Sequence, residues 1–167
     1  MKCLSTILTI SLLISFASSL HAQSILKAGT QVTVKLTTDA KSKDMVTPIA
    51  KVAEDVFTQD GTLAIKRGTP VQIYHSADRA RACGEPGHIT LRFETTRTVN
   101  NMKVALDCNN FNREGRNKHV LSIGLGCVGF VFPPLILCLL IKGQNVTIPL
   151  GTEFTDIYTS EDVEIIK

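Results

Sequence analysis

Tryptophan is missing from this chain, and aromatic residues make up only 5% of it. Single-stranded nucleic acids are held largely by stacking bases on aromatic rings, so that mode has little to work with here. A surplus of one charge is missing too, since 18 Lys and Arg face 15 Asp and Glu. Setting aside Lys2, which lies in the leader described below, leaves 17 against 15. A net charge near +2 gives no bulk field for a phosphate backbone, and the sequence predicts no nucleic-acid partner.

Catalytic signatures are also lacking. There is no G-x-S-x-G, no H-E-x-x-H and no phosphate-binding glycine run. His75, Ser76 and Asp78 have triad residue types, but neighbours on a strand point to opposite faces while a triad must converge. A zinc site drawn from Cys83, His88, Cys108 and His119 lacks the close ligand pairs of structural zinc. The expectation is a protein that is not an enzyme and needs neither cofactor nor metal.

What is present begins with a leader. Lys2 provides a positive start, Leu4 to Phe16 an apolar stretch, and Ala17 to Ala22 a run rich in small residues. This pattern predicts a signal peptide over residues 1–22, with cleavage after Ala22 and export of a single domain over 23–167. Cys3 precedes the apolar stretch, so it is no lipoprotein cysteine. Four cysteines remain, Cys83, Cys108, Cys127 and Cys138. An even count in an exported chain permits disulfides, and the local pairing is Cys83 with Cys108 and Cys127 with Cys138. Free buried thiols are the alternative.

One phrase occurs three times: apolar, two spacers, Gly-Thr, one spacer, apolar. It spans Leu26 to Val32, Ile65 to Val71 and Ile148 to Phe154. Glycine adopts positive φ without steric cost and threonine favours extended backbone. Gly29, Gly68 and Gly151 are therefore expected to be structural corners, each joining two strands. Gln31 to Leu36 alternates polar and apolar residues, as does His88 to Val99, and Met102 to Leu106 follows as a return arm. Asn100-Asn101 is expected to form a two-residue turn between those arms, pairing Val99 with Met102. Ile49 to Phe57 reads as one strand, Pro70 to Tyr74 as another, and Thr37 to Thr47 and Asn109 to Lys118 as polar connections. Short strands at Val146 to Ile148, Phe154 to Tyr158 and Val163 to Ile166 complete a mostly β chain, a small β-barrel or sandwich.

Ile123 to Ile141 interrupts this pattern, for it contains no charged residue. As one helix it would reach ~29 Å, close to a hydrocarbon core of about 30 Å. Its glycines and the central Pro133-Pro134 weaken such a helix. A single span would also leave Arg113, Arg116 and Lys118 outside and carry the acidic C-terminal stretch into the cytoplasm, against the positive-inside preference. Two readings remain, a bent apolar hairpin buried in the domain or one projecting into a membrane or partner assembly. In the second, Phe130, Phe132, Leu135, Leu137 and Leu140 form the contact surface, Pro133 and Pro134 the bend, and Arg116 and Lys118 a polar rim.

The order of these features resembles the β-barrel domain of type IV secretion channel subunits. The resemblance rests on the first corner, on Val52-Ala53-Glu54-Asp55-Val56, and on the second corner followed by Tyr74-His75-Ser76. An apolar insertion and closing strands come last. It implies a periplasmic barrel whose apolar insertion contributes to an outer-membrane pore. The chain departs from that pattern in lacking an N-terminal inner-membrane helix and a proline-rich linker. It also resembles small exported proteins of Gram-negative bacteria that carry the same corners, a likeness that brings no function with it. Together these readings predict a non-enzymatic envelope component docked through the hairpin to the outer membrane or an envelope protein assembly. A soluble periplasmic binding module with the run buried in its core is the alternative.

Overall fold

A computed structural model describes residues 24–44, 46–128 and 133–165. The expected leader therefore lies outside the described residues. Among the described residues most of the regular structure is strand, in fourteen pieces: β1 Ser24–Leu26, β2 Val34–Leu36, β3 Ala40–Lys41, β4 Ala50–Val52, β5 Val56–Phe57, β6 Leu63–Ile65, β7 Pro70–Asp78, β8 His88–Arg97, β9 Lys103–Cys108, β10 Phe111–Glu114, β11 Thr147–Ile148, β12 Glu153–Phe154, β13 Ile157–Thr159 and β14 Val163–Ile165. Between β10 and β11 stand a helix, α1, at His119–Val128 and a 3₁₀ helix at Pro133–Leu140.

All strand pairs are antiparallel, and the main sheet runs β12-β2-β4-β7-β8-β9-β13, with β10 also paired to β8. Since β12 and β13 are consecutive pieces of one segment, the two ends of this sheet meet. The Val32 N–H donates to the Ile157 carbonyl (2.9 Å) and the Thr159 N–H to the Thr30 carbonyl (3.0 Å). The sheet is thereby nearly closed into a barrel, the closure that removes exposed strand edges. Val34, Leu36, Val52, Ile89, Leu91, Phe93, Val104 and Ile157 fill its interior. Each large apolar side chain withdrawn from water in this way contributes about 1.5–3 kcal/mol.

The three Gly-Thr phrases form one repeated device. Gly29, Gly68 and Gly151 have φ of 81°, 85° and 87°, the value that the third position of a type II turn requires. The following threonine closes each turn twice. Its N–H reaches the carbonyl three residues earlier (Lys27, Lys66 or Pro149) at 3.2–3.3 Å, and its hydroxyl donates to the same oxygen at 2.6–2.7 Å. The glycine N–H points outward to a neighbouring strand, at the carbonyls of Thr159, Val52 and Leu36 respectively. Each corner thus turns the chain and bonds it to the sheet at one point.

Several local expectations are corrected. Ile49 to Phe57 is two strands, β4 and β5, separated at Ala53–Asp55. The β8–β9 connection is a three-residue loop, Val99-Asn100-Asn101, closed by Thr98 N–H to Met102 carbonyl at 2.9 Å. Asn101 carries the left-handed conformation, φ 63°, so Arg97 pairs with Lys103 and the register is one residue off the expected one. A bulge in β8 changes which side faces inward. Gln72 pairs with Thr95 but Ile73 with Phe93, leaving Glu94 as the extra residue. Inward positions switch from Ile89, Leu91 and Phe93 to Thr96 and Thr98, both buried. The polar stretches also hold strands, β3 pairing with β11 and β10 with β8.

The four cysteines described are free thiols rather than disulfides. The reason is plainest at Cys108. Opposite Phe93 the outer strand bows away, between Ala105 paired to Thr95 and Phe111 paired to Leu91. The Cys108 sulfur fills the gap, accepting from the Phe93 N–H (3.3 Å) and donating to the Phe93 carbonyl (3.4 Å). Burial pushes its pKa up, which keeps the proton needed for that donation. Cys83 lies elsewhere, its N–H bonded to the Leu139 carbonyl, so the pairing of Cys83 with Cys108 does not form.

Candidate functional site

The described side chains of the apolar run stand outside the barrel core. α1 and the 3₁₀ helix pack chiefly on each other, and none of the side chains described in either belongs to the buried core cluster. The Ser122 hydroxyl, fully buried between them, donates to the Cys138 carbonyl at 2.9 Å and ties the two together. At the entrance the Asn117 side-chain oxygen accepts the His119 N–H at 2.8 Å, the capping bond that starts a helix. Pro133 and Pro134 open the 3₁₀ helix, where a missing N–H costs nothing. Residues 129–132, which join the two helices in sequence and include Phe130 and Phe132, lie outside the described residues.

Among the side chains described in the two helices, five large apolar ones are exposed. Val120 is 90% exposed, Leu121 54% and Ile123 49%, with Leu137 and Leu140 at 66% each. The side chain of Leu135 is not among those described. His119 to Leu140 contains no Asp, Glu, Lys or Arg. At the foot of α1, Arg116, Asn117, Lys118, Val120, Leu121 and Gly124 line a groove of about 680 Å³. Arg116 and Lys118 therefore share one concavity with Val120 and Leu121, which precede the apolar run and are not among the expected contact residues. Exposed apolar surface bordered by basic groups is the usual form of a site for membrane or protein contact.

A neck of backbone hydrogen bonds holds this insertion to the barrel. Three segments cross there: 81–87 between β7 and β8, 115–118 leading into α1, and 139–144 leaving the 3₁₀ helix. The N–H groups of Cys83 and Gly84 donate to the carbonyls of Leu139 (2.9 Å) and Ile141 (2.8 Å). Lys118 N–H reaches Gly84 (3.0 Å), Gly143 N–H reaches Arg81 (3.1 Å), and Gly115 N–H reaches Gly87 (2.8 Å). Glycines stand where the chains touch. A Cβ on Gly84 would overlap the Lys118 carbonyl, one on Gly115 the Gln144 carbonyl, and one on Gly143 the Glu85 carbonyl. Cys83 and Gly84, with φ of 58° and 78°, form the tight reversal that aims both N–H groups at the departing helix. In the sequence, Gly84 to Gly87 has the composition of a plain turn, which does not disclose this role. Glycine recurring in each of the three segments is the signal that pointed to it.

The remaining polar candidates do not converge. His75 lies on β7 opposite Leu91, and its buried Nε2 has no hydrogen-bond partner, while burial lowers its pKa and keeps it neutral. Asp78 sits opposite His88, whose ring bonds Thr90 and faces Glu114 at 3.4 Å. Among the described residues no three His, Cys, Asp or Glu side chains are placed to hold a metal ion. None of the described helices is long and apolar enough to cross a membrane, which says nothing of strands.

The sequence matches no protein-family model and no curated protein. Among solved structures it is similar to ComB10 of the Com type IV secretion system of Helicobacter pylori, at 15% identity and a TM-score of 0.43. The match covers 84% of this chain and 90% of that one, and it is a distant structural resemblance.

Proposed function

We propose that this chain is a non-enzymatic component of the bacterial envelope, exported to the periplasm, that docks to the outer membrane through its apolar helical insertion. The observation that carries the reading is the outward turn of Val120, Leu137 and Leu140 on two helices free of charged residues. Soluble surfaces rarely leave so many apolar side chains together unless something covers them. The neck supports the same reading, because it fixes the insertion to a rigid barrel by backbone bonds rather than by burying it. Arg116 and Lys118 stand at its base, where they reach anionic headgroups while the helices enter the apolar layer.

Fractionation of cells expressing the full chain tests this. The expected result is a pellet that resists carbonate extraction and is recovered with the outer membrane. Release of the chain in the osmotic-shock fraction would mean that the insertion is covered within a soluble module instead.

A further inference from the structure

The neck concentrates positive charge at the root of the apolar insertion. Its three segments carry Arg81, Arg116, Lys118 and Lys142 against one carboxylate, Glu85. Between Glu114 and Glu153 the chain has no acidic residue at all. Neither Arg116 nor Lys118 makes an ion pair among the described residues, so both charges are left for something outside the chain. Both border the groove at the foot of α1, whose volume of about 680 Å³ is that of a small-molecule site. The rest of its described lining is mostly apolar and comes from one face of α1. Gly124 follows Val120 by four residues and Leu121 by three, the spacing that stacks side chains on a helix. At Gly124 the groove is open, since a Cβ there would meet no atom within 4 Å.

We infer that this groove holds a single anionic phospholipid, with its phosphate at Arg116 and Lys118 and the start of an acyl chain along Val120, Leu121 and Gly124. The inference rests on the membrane docking proposed above and deepens it, making one lipid class a stoichiometric ligand of the chain. Unpaired cations and bare apolar side chains in one concavity suit a molecule that is anionic at one end and apolar at the other. Free phosphate would satisfy the cations and leave Val120 and Leu121 in water. A zwitterionic headgroup would bring a cation of its own against Arg116 and Lys118 and cancel part of the attraction. Hydrogen bonds from guanidinium or ammonium to phosphate are of the strong, charge-assisted kind. Basic residues beside a membrane-facing segment attract anionic lipid for the same reason.

The test titrates dihexanoyl phosphatidylglycerol, kept below its micelle concentration, into the full chain, beside dihexanoyl phosphatidylcholine and inorganic phosphate. Saturable binding of one phosphatidylglycerol per chain is expected, at least tenfold tighter than either companion. Gly124→Leu fills the groove without a clash and with a better helix former. It is expected to weaken that binding tenfold or more while sedimentation with phosphatidylglycerol vesicles persists. Arg116→Gln with Lys118→Gln is expected to abolish the preference for phosphatidylglycerol over phosphatidylcholine. Equal binding of phosphatidylcholine or phosphate by the parent chain overturns the lipid site, as does a Gly124→Leu protein that binds like the parent. Sedimentation with vesicles but no binding of the short-chain lipid overturns the site and leaves the docking standing. No sedimentation with phosphatidylglycerol vesicles overturns both.

Discussion

Gly84→Ala detaches the helical insertion from its neck while leaving the barrel folded. Residue 84 has φ 78°, where an L side chain costs about 1–3 kcal/mol from backbone strain alone. The new methyl group would also overlap the Lys118 carbonyl, a backbone group that moves only if segment 115–118 moves with it. The bonds from Cys83 and Gly84 to Leu139 and Ile141 and from Lys118 to Gly84 depend on that crossing. Gly61→Ala separates the two effects, because Gly61 has φ 74° with open space around its Cβ position. It is expected to carry the same backbone cost of about 1–3 kcal/mol without local opening. Hydrogen exchange reads the difference: Gly84→Ala loses protection at Cys83, Lys118 and Gly143 but keeps it in β2, β4 and β8. Retained protection in the neck would show that the crossing is not the attachment.

Cys108→Ala produces the second large effect, a global loss of about 1–3 kcal/mol. The N–H and carbonyl of Phe93 sit in the main sheet opposite the bow between β9 and β10, and the thiol is their partner. Removing it leaves a donor and an acceptor unpaired beside a fully buried ring. Cys108→Ser restores a donor and acceptor at nearly the same place and is expected to recover most of the loss. Urea unfolding midpoints measure both. Equal midpoints for the Ala variant and the parent would show that the sulfur has no such role, and so would a Ser variant as unstable as the Ala one.

These cases also mark what the amino-acid order discloses. The corners are legible because Gly followed by Thr encodes a local geometry, one residue supplying the dihedral and the next closing the turn. Alternation at Val32, Val34 and Leu36 and at Ile89, Leu91 and Phe93 correctly assigns the inward face. It fails after Phe93, because the bulge at Glu94 moves burial onto Thr96 and Thr98, whose hydroxyls disguise them as surface residues. The register across Asn100-Asn101 slips for a related reason: a two-residue and a three-residue loop accept the same asparagines. β3 and β10 have no sequence signal, since strands of two to four residues are defined by their partners. The neck is the extreme case. Its bonds join residues far apart in the chain through backbone atoms, which every residue possesses, so only the glycines betray it.

The apolar run reads as a hairpin either buried or projecting, and composition alone leaves both open. The distinction lies in which side chains are covered, and Leu137 and Leu140 are each 66% exposed. Replacing them together by aspartate therefore tests the central claim most directly. The quantity to measure is the membrane-bound fraction of the folded Leu137→Asp, Leu140→Asp protein, with its unfolding midpoint taken on the same preparation. A midpoint close to the parent's, with association reduced tenfold or more, is the predicted result. A protein that unfolds, or one that stays folded and still pellets with the membrane, contradicts it.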